Sequence, residues 1–272
     1  MGIESRSDAT IYWFSGTGNS LAAARTIAGR LATADLVPIA AMPVDGPIAV
    51  EAGATIGIVC PVYFYGLPLI VREFMERLDP SPAAYTFVVL TMGGMPGVAI
   101  HHARELLRGR LDAAWTVRMP GNYIAEYNAR SPRATRRLVD RATRRCEHIA
   151  AAVGERRGHR PWATDAFLPL GLLVHRLVGA RFAQTCRRRD ERFDVTDACI
   201  SCGTCARVCP VGNVTIDEGR PRWHRACEQC FACIHLCPAT AIQLCGRPTS
   251  RRRRYRHPDT SVEDIAAQRR GA

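Results

Sequence analysis

The sequence contains no lysine. All 37 basic side chains are therefore arginine, set against 25 acidic ones, for a formal net charge of +12. A Walker-type phosphate loop and a Schiff-base catalyst both need a lysine amine, so these two enzyme classes are excluded. A basic excess ordinarily points to nucleic acid or an anionic surface. Here arginine and alanine are used freely along the whole chain, which reads as compositional bias. Also missing is an apolar run long enough to span a bilayer. The longest candidate, FLPLGLLVHRLVGARF from Phe167 to Phe182, is broken by His175 and Arg176. The start, MGIESRSDATIYWF, lacks the basic region, long apolar core and cleavage site of a secretory leader. The expectation is a cytoplasmic protein without a transmembrane segment.

What is present suffices for two modest domains: 272 residues, 47% of them hydrophobic. From Thr10 to about Glu155, short β-rich runs (IYWF, LVPIA, TIGIVC, YTFVVLT, WTVRM) alternate with helical stretches (LAAARTIAGRL, LIVREFMERL, AIHHARELLRGRL). Such alternation predicts an α/β fold with a doubly wound parallel sheet. A final surface helix is expected from Pro132 to Arg157, its arginines forming a solvated face. Residues 158–195 read as a helical connector packed between domains. An amphipathic membrane-surface helix is the alternative, since Leu170, Leu172, Leu173, Val174, Leu177 and Val178 sit beside Arg176 and Arg181. Residues 247–272, containing RRRRYRHP, read as an exposed basic tail.

Twelve cysteines in a reducing compartment point to metal ligation more than to disulfides. Eight fall in an internal repeat: ACISCGTCARVCPVGNVTI aligns with ACEQCFACIHLCPATAIQL, Cys199 matching Cys227 and Cys209 matching Cys237. Each copy carries C-x2-C-x2-C-x3-C-P, the ligand run of bacterial two-cluster iron–sulfur proteins, in which the last cysteine of each run serves the other cluster. The rule assigns Cys199, Cys202, Cys205 and Cys237 to one [4Fe-4S] cluster, and Cys227, Cys230, Cys233 and Cys209 to the other. Ser201, Gly203, Thr204 and Ala232 are small enough to let backbone N–H groups approach cluster sulfur. Structural zinc is the competing reading, but it calls for two pairs of cysteines rather than triplets with an outlying Cys-Pro. Cys60, Cys146, Cys186 and Cys245 lack such spacing and read as inert, small apolar residues.

The loop FSGTGNS follows the first strand and opens a helix, where N–H groups and the helix dipole favour an anion. Gly16 and Gly18 permit close approach, and Ser15, Thr17, Asn19 and Ser20 add donors suited to a terminal phosphate. A dinucleotide is disfavoured, because Leu21 stands where a third glycine is needed. An ordinary capped turn is the alternative. Two further loops reach the same sheet edge. PVYFYGLP offers Pro61, Val62, Tyr63, Phe64, Tyr65 and Gly66, and TMGGMPG offers Thr91, Met92, Gly93 and Gly94. The aromatics of the first can face an isoalloxazine ring, and the glycines of the second can bring backbone donors to its polar edge. Core packing at a strand end is the alternative for each aromatic. MPGNY, from Met119 to Tyr123, is a weaker candidate for the same pocket.

With these motifs together, the chain resembles the ferredoxins whose N-terminal half is flavodoxin-like. The resemblance rests on YWFSGTGNS, PVYFYGLP, TMGGMPG, MPGNY, both cysteine runs and RYRHP. It implies FMN in a domain at residues 1–157 and two [4Fe-4S] clusters in a small α+β ferredoxin domain at residues 196–246. One departure stands out: the loop from Thr91 to Gly97 offers only Met92 and Met95 where flavodoxins place a second aromatic, so the second flavin face is open or covered by another segment. Cofactor charges of about −4 for the clusters and −2 for FMN would lower the formal charge to roughly +6.

The expected function is electron transfer between FMN and the clusters, converting between one- and two-electron carriers, with unidentified redox proteins as partners. No proton-transfer residue is identifiable, because His101 and His102 read as structural or solvent-facing. A flavin-dependent reductase of an organic substrate, with Tyr63, Tyr65 or Tyr123 as proton donor, is the second reading. A redox-sensing regulator whose basic tail binds nucleic acid is the third; that tail lacks a recognition motif, so no nucleic-acid partner is expected.

Overall fold

The computed structural model describes residues 9–161, 168–247 and 249–269. The leader reading of residues 1–8 and part of the connector, residues 162–167, lie outside them. Five strands form one parallel sheet: β1 (Ala9–Trp13), β2 (Ala34–Pro38), β3 (Thr55–Pro61), β4 (Tyr85–Met92) and β5 (Ala113–Arg118). Their order is β2-β1-β3-β4-β5, the flavodoxin-like doubly wound order with its switch point between β1 and β3. The central strands read as unbroken apolar runs because both faces are covered. Ile11, Ile58, Val59, Phe87, Val88, Val89 and Leu90 are all fully buried.

Helices α1 (Asn19–Ala28), α2 (Leu69–Arg77), α3 (Ala99–Leu106) and α4 (Pro132–Gly154) cover the sheet. The predicted surface helix is α4, N-capped by Ser131 and seated on the core through Val139, Ala142, Cys146 and Ile149, with its arginines outward. The connector follows as α5 (Leu168–Val174), a π-helical turn (His175–Gly179) and α6 (Ala180–Thr185).

The small domain is built on β6 (Phe193–Val195), α7 (Thr204–Arg207), β7 (Val214–Asp217), β8 (Arg220–Trp223), α8 (Ala232–His235) and β9 (Ile242–Leu244). Antiparallel pairs β6–β9 and β7–β8 close it. Because β6 pairs with β9, the last residues of the expected connector belong to this domain's sheet. A short helix, α9 (Val262–Ala266), ends the described chain, secured by a Ser261–Asp264 capping box. No helix among the described residues is long and apolar enough to cross a membrane.

Candidate functional site

The loops at the carboxyl ends of β1, β3, β4 and β5 enclose a cavity of about 320 Å³, within the roughly 300–1,000 Å³ of small-molecule sites. Ser15, Gly16, Thr17, Asn19 and Ser20 line it from the first loop; Pro61, Val62, Tyr63, Phe64 and Tyr65 from the second; Thr91, Met92, Gly93 and Gly94 from the third. Two predicted residues do not line it. Gly18 caps α1 at φ 97° and faces away, with Thr260 packed where a Cβ would stand. Gly66 closes a tight turn, exchanging backbone hydrogen bonds with Tyr63 at 2.9 and 3.0 Å.

No side chain caps α1, so its first-turn N–H groups keep the anion-favouring character of a bare helix N-terminus. The hydroxyls and amides nearby divide their work. Ser15 Oγ accepts from the Gly18 N–H at 3.0 Å, and Ser20 Oγ pairs with Thr91 Oγ1 at 2.8 Å. Asn19 Nδ2 donates to the Pro120 carbonyl, while its Oδ1 accepts from the Tyr255 hydroxyl. Thr17 Oγ1 accepts from Asn122 Nδ2 at 2.9 Å, which leaves its own O–H to donate. Asn19 and Ser20 thus hold the loop in shape, and Thr17 is the side-chain donor free to turn inward.

The aromatic loop is strained. Phe64 and Tyr65 both adopt left-handed conformations, φ 46° and 65°, each costing about 1–2 kcal/mol. The turn sets Phe64 against α6, where it stacks on Phe182 at 4.0 Å and meets Tyr123 edge-on at 5.2 Å. Tyr63 points inward: its hydroxyl oxygen is buried without a partner, and burial, reinforced by neighbouring thiols, raises its pKa well above the usual value.

Further lining residues lie beyond these three loops. Pro120, Gly121, Asn122 and Tyr123 come from the MPGNY stretch held as a weaker candidate, and Tyr127 and Glu126 follow it. Tyr123 and Tyr127 supply the aromatic surface missing from the Thr91–Gly97 loop. Gln229 and Phe231 reach the cavity from the other domain. Their only signal was that they flank Cys230, and nothing local to the sequence places them here.

The eight repeat cysteines gather around two further cavities. One is lined by Cys199, Cys202, Cys205 and Cys237, the other by Cys209, Cys227, Cys230 and Cys233. This is the crossed partition expected from the spacing. Among the described residues no three His, Cys, Asp or Glu side chains converge closely enough for a single ion. Backbone N–H groups donate to sulfur: Asn213 to Cys209 Sγ and Gln229 to Cys227 Sγ at 3.2 Å, Ala241 to Cys237 Sγ at 3.3 Å. Burial and mutual repulsion disfavour bare thiolates, pushing Cys205 up to about 11 and Cys230 up to about 12. Cys202 is exposed, and the Thr204 hydroxyl lowers its pKa.

The two sites share a wall. A Cβ on Gly16 would lie 2.6 Å from the Cys230 carbonyl oxygen, 3.0 Å from its Cβ and 3.1 Å from the Tyr63 hydroxyl. The FSGTGNS loop, the aromatic loop and the cysteine loop therefore meet at one point. Glu228, beside them, accepts from the Ile70 N–H at 3.2 Å and so caps α2 across the domain boundary; burial raises it to about 7.

The C-terminal segment is not a solvated arm. Tyr255, His257, Thr260, Ile265 and Gln268 are buried. Gln268 Nε2 donates to the Ser15 carbonyl at 2.8 Å, and its Oε1 accepts from the Ser15 N–H at 3.3 Å. The His257 N–H donates to the Thr17 carbonyl at 2.8 Å. The arginines of RRRRYRH are also engaged: Arg252 donates to the Ile124 carbonyl and Arg253 to the Ala129 carbonyl. The segment braces the first loop from behind because its buried polar side chains satisfy that loop's backbone. Among the remaining cysteines, Cys60, Cys146 and Cys186 are buried as expected, whereas Cys245 is exposed.

Residues 192–238 match the 4Fe-4S dicluster domain family. A ferredoxin of Pyrobaculum islandicum is 39% identical over 56 residues, 20% of this chain and 51% of that protein, so the chain spans about half the length of this curated relative. Solved structures similar to the N-terminal part include a flavodoxin from the domain Archaea (17% identity, TM-score 0.38, 54% of this chain and 96% of that one). Another is a flavoprotein in complex with FMN from Lactobacillus acidophilus NCFM (13% identity, TM-score 0.33, 42% of this chain and 93% of that one). The chain joins a flavodoxin-like domain, defined by its strand order, to a 4Fe-4S dicluster domain, the make-up of a flavodoxin–ferredoxin fusion.

Proposed function

We propose that this protein transfers electrons between FMN, held in the cavity at the sheet edge, and two [4Fe-4S] clusters held by the crossed cysteine sets. The observation that carries the reading is the shared wall: Gln229 and Phe231, on either side of Cys230, line the flavin cavity itself. Clusters exchange electrons singly and a flavin exchanges one or two, so the pair converts between one- and two-electron carriers.

The residues present fit these groups. For FMN, α1 offers a bare N-terminus to the phosphate, and Tyr63, Tyr123 and Tyr127 offer aromatic surface to the ring. Tyr63 Oη is a buried polar atom without a partner, and such an atom calls for a ligand to satisfy it. For the clusters, iron relieves the repulsion among buried thiolates. Thiols spaced around a cavity fit the corners of a cubane better than the single centre of a zinc ion.

Burial orders the path. Cys209, Cys227, Cys230 and Cys233 are all buried next to the flavin cavity. In the other set Cys205 is buried, but Cys199 and Cys237 are half-buried and Cys202 is exposed, beside Ile200 at 65% exposure. An external redox protein therefore meets the outer set, and the inner set adjoins the flavin. The test is anaerobic purification with iron, sulfide and flavin quantified on one sample. About eight iron, eight sulfide and one FMN per chain are expected; clusters without flavin would overturn the reading of the cavity.

A further inference from the structure

A second cavity of about 410 Å³ adjoins the first and shares Phe64, Tyr123, Glu126 and Gln229 with it. Four arginines line it: Arg181, Arg189, Arg192 and Arg247. Several arginines elsewhere in the small domain and connector are neutralised by carboxylates, as in Arg187–Glu73, Arg188–Glu191 and Arg220–Asp197. Among the described residues none of these four is in an ion pair, and Glu126 is the one acidic side chain in the lining. Three excess positive charges thus converge on a concave surface.

The arginines are held for different lengths of reach. Arg189 is fixed, with its guanidinium 5.2 Å from the Phe64 ring centroid, 5.1 Å from that of Phe182, and its Nε donating to Thr185 Oγ1. Arg192 donates to the Cys245 carbonyl. Arg181 and Arg247 are exposed and make no side-chain hydrogen bond among the described residues. Phe64 and Tyr123 give the cavity an apolar, aromatic wall. At the junction of the two cavities lies Gln229, 7% exposed, whose Oε1 is buried without a partner.

We propose that this cavity binds a planar organic carboxylate beside the flavin pocket. Guanidinium forks match a carboxylate in two-point geometry, the aromatic wall suits a flat conjugated body, and Gln229 Oε1 accepts from a hydroxyl or N–H on the ligand. An inorganic anion would leave the aromatic wall and Gln229 unused. Carboxylate binding there rests on the cavity alone, whereas use of the carboxylate as a substrate rests on FMN filling the neighbouring pocket.

The probe is 4-hydroxybenzoate, titrated calorimetrically into the full chain with iron and flavin quantified, with uncharged 4-hydroxybenzamide and inorganic sulfate as comparisons. Saturable binding at one site is expected, weakened at least about tenfold in Arg181→Gln/Arg247→Gln, and weakened less in the Arg→Lys pair. Both positions are exposed, and an unchanged melting temperature verifies that the variants fold. Absence of saturable binding, or equal binding by the Gln pair, would overturn the proposal. Sulfate or the benzamide binding as tightly would overturn the assignment to an organic carboxylate. Binding by a sample with clusters but no flavin would uphold the cavity and sink the flavin reading instead.

Discussion

Replacing Gly16 by alanine probes the point where the three loops meet. The new methyl would stand 2.6 Å from the Cys230 carbonyl oxygen, where ordinary contact begins near 3.4 Å, so the loops must separate by about 0.8 Å. Two of its three neighbours, the Cys230 carbonyl and Cβ, belong to a loop tied to its own cysteine set, which leaves little freedom to yield. Overpacking of this kind costs about 1–3 kcal/mol. Alanine returns about 0.4–1 kcal/mol by restricting the unfolded chain. Central values of about 2 and 0.7 kcal/mol leave a net destabilisation of about 1.3 kcal/mol, with an upper limit near 2.6 kcal/mol, or a melting temperature lower by about 3–5 °C and at most about 10 °C at this chain length. Where the displaced loop must be pushed back to receive FMN, the same energy weakens binding by up to roughly 70-fold. Gly94→Ala is the control, since nothing lies within 4 Å of its would-be Cβ, and its stability should stay within about 0.5 kcal/mol of the parent. Thermal unfolding and a fluorescence titration with FMN measure both effects. A Gly16→Ala protein that melts and binds FMN like the parent would refute the close approach of the two sites.

Crossed ligation predicts that Cys209→Ser/Cys230→Ser, which share one cavity, leaves about four irons, whereas Cys205→Ser/Cys209→Ser, from one sequence run, leaves almost none. Iron analysis giving the reverse would show that each run holds its own cluster. Tyr63→Phe should raise the stability of the flavin-free protein by up to about 1 kcal/mol, because it removes an unpaired buried hydroxyl, while weakening FMN binding several-fold. Effects of the same sign would remove Tyr63 Oη from the flavin site. Burial, then His175 and Arg72, lowers the His102 imidazole to about 4. The unfolded chain therefore takes up its proton first, and stability falls as pH drops from about 6.5 towards 4. His175 is shifted the same way, so His102→Asn should flatten part of the loss in urea midpoint between pH 7 and 5, by about 1 kcal/mol given its partial exposure. An unchanged profile would refute that assignment. Gln268→Ala leaves the Ser15 N–H and carbonyl unpaired and should cost about 2–4 kcal/mol, seen as a lower urea midpoint; loss within 0.5 kcal/mol, roughly the noise of a surface change, would mean the tail does not brace the loop.

The two repetitive signals in the chain carried most of what its residues reveal alone. Apolar runs such as TIGIVC and YTFVVLT are buried on both faces of β3 and β4, so their period and length identify the strands without tertiary information. The repeated cysteine run was equally legible, and the rule for two-cluster ferredoxins, in which the last cysteine of each run serves the other cluster, names the crossed sets. Fourteen of the sixteen expected flavin-site residues line the cavity, since loops at one edge of a parallel sheet must converge there. Gly18 and Gly66 fell outside because a glycine's motif position does not tell whether it serves the ligand or the turn.

Only the tertiary structure decided which partners lie far apart in the chain. Gln229 and Phe231 join the cavity at the sheet edge, and Gln268 clamps Ser15 across 253 positions. The turn of Phe64 onto Phe182, like the gathering of Arg181, Arg189, Arg192 and Arg247 around one cavity, depends on how the connector docks. RRRRYRHP reads as a charged tail because composition records what side chains are and not which backbone groups need them. Local periodicity fixes elements through short-range sterics and burial, whereas long-range contacts arise from packing two domains and a returning tail around shared loops, and no window of sequence contains them.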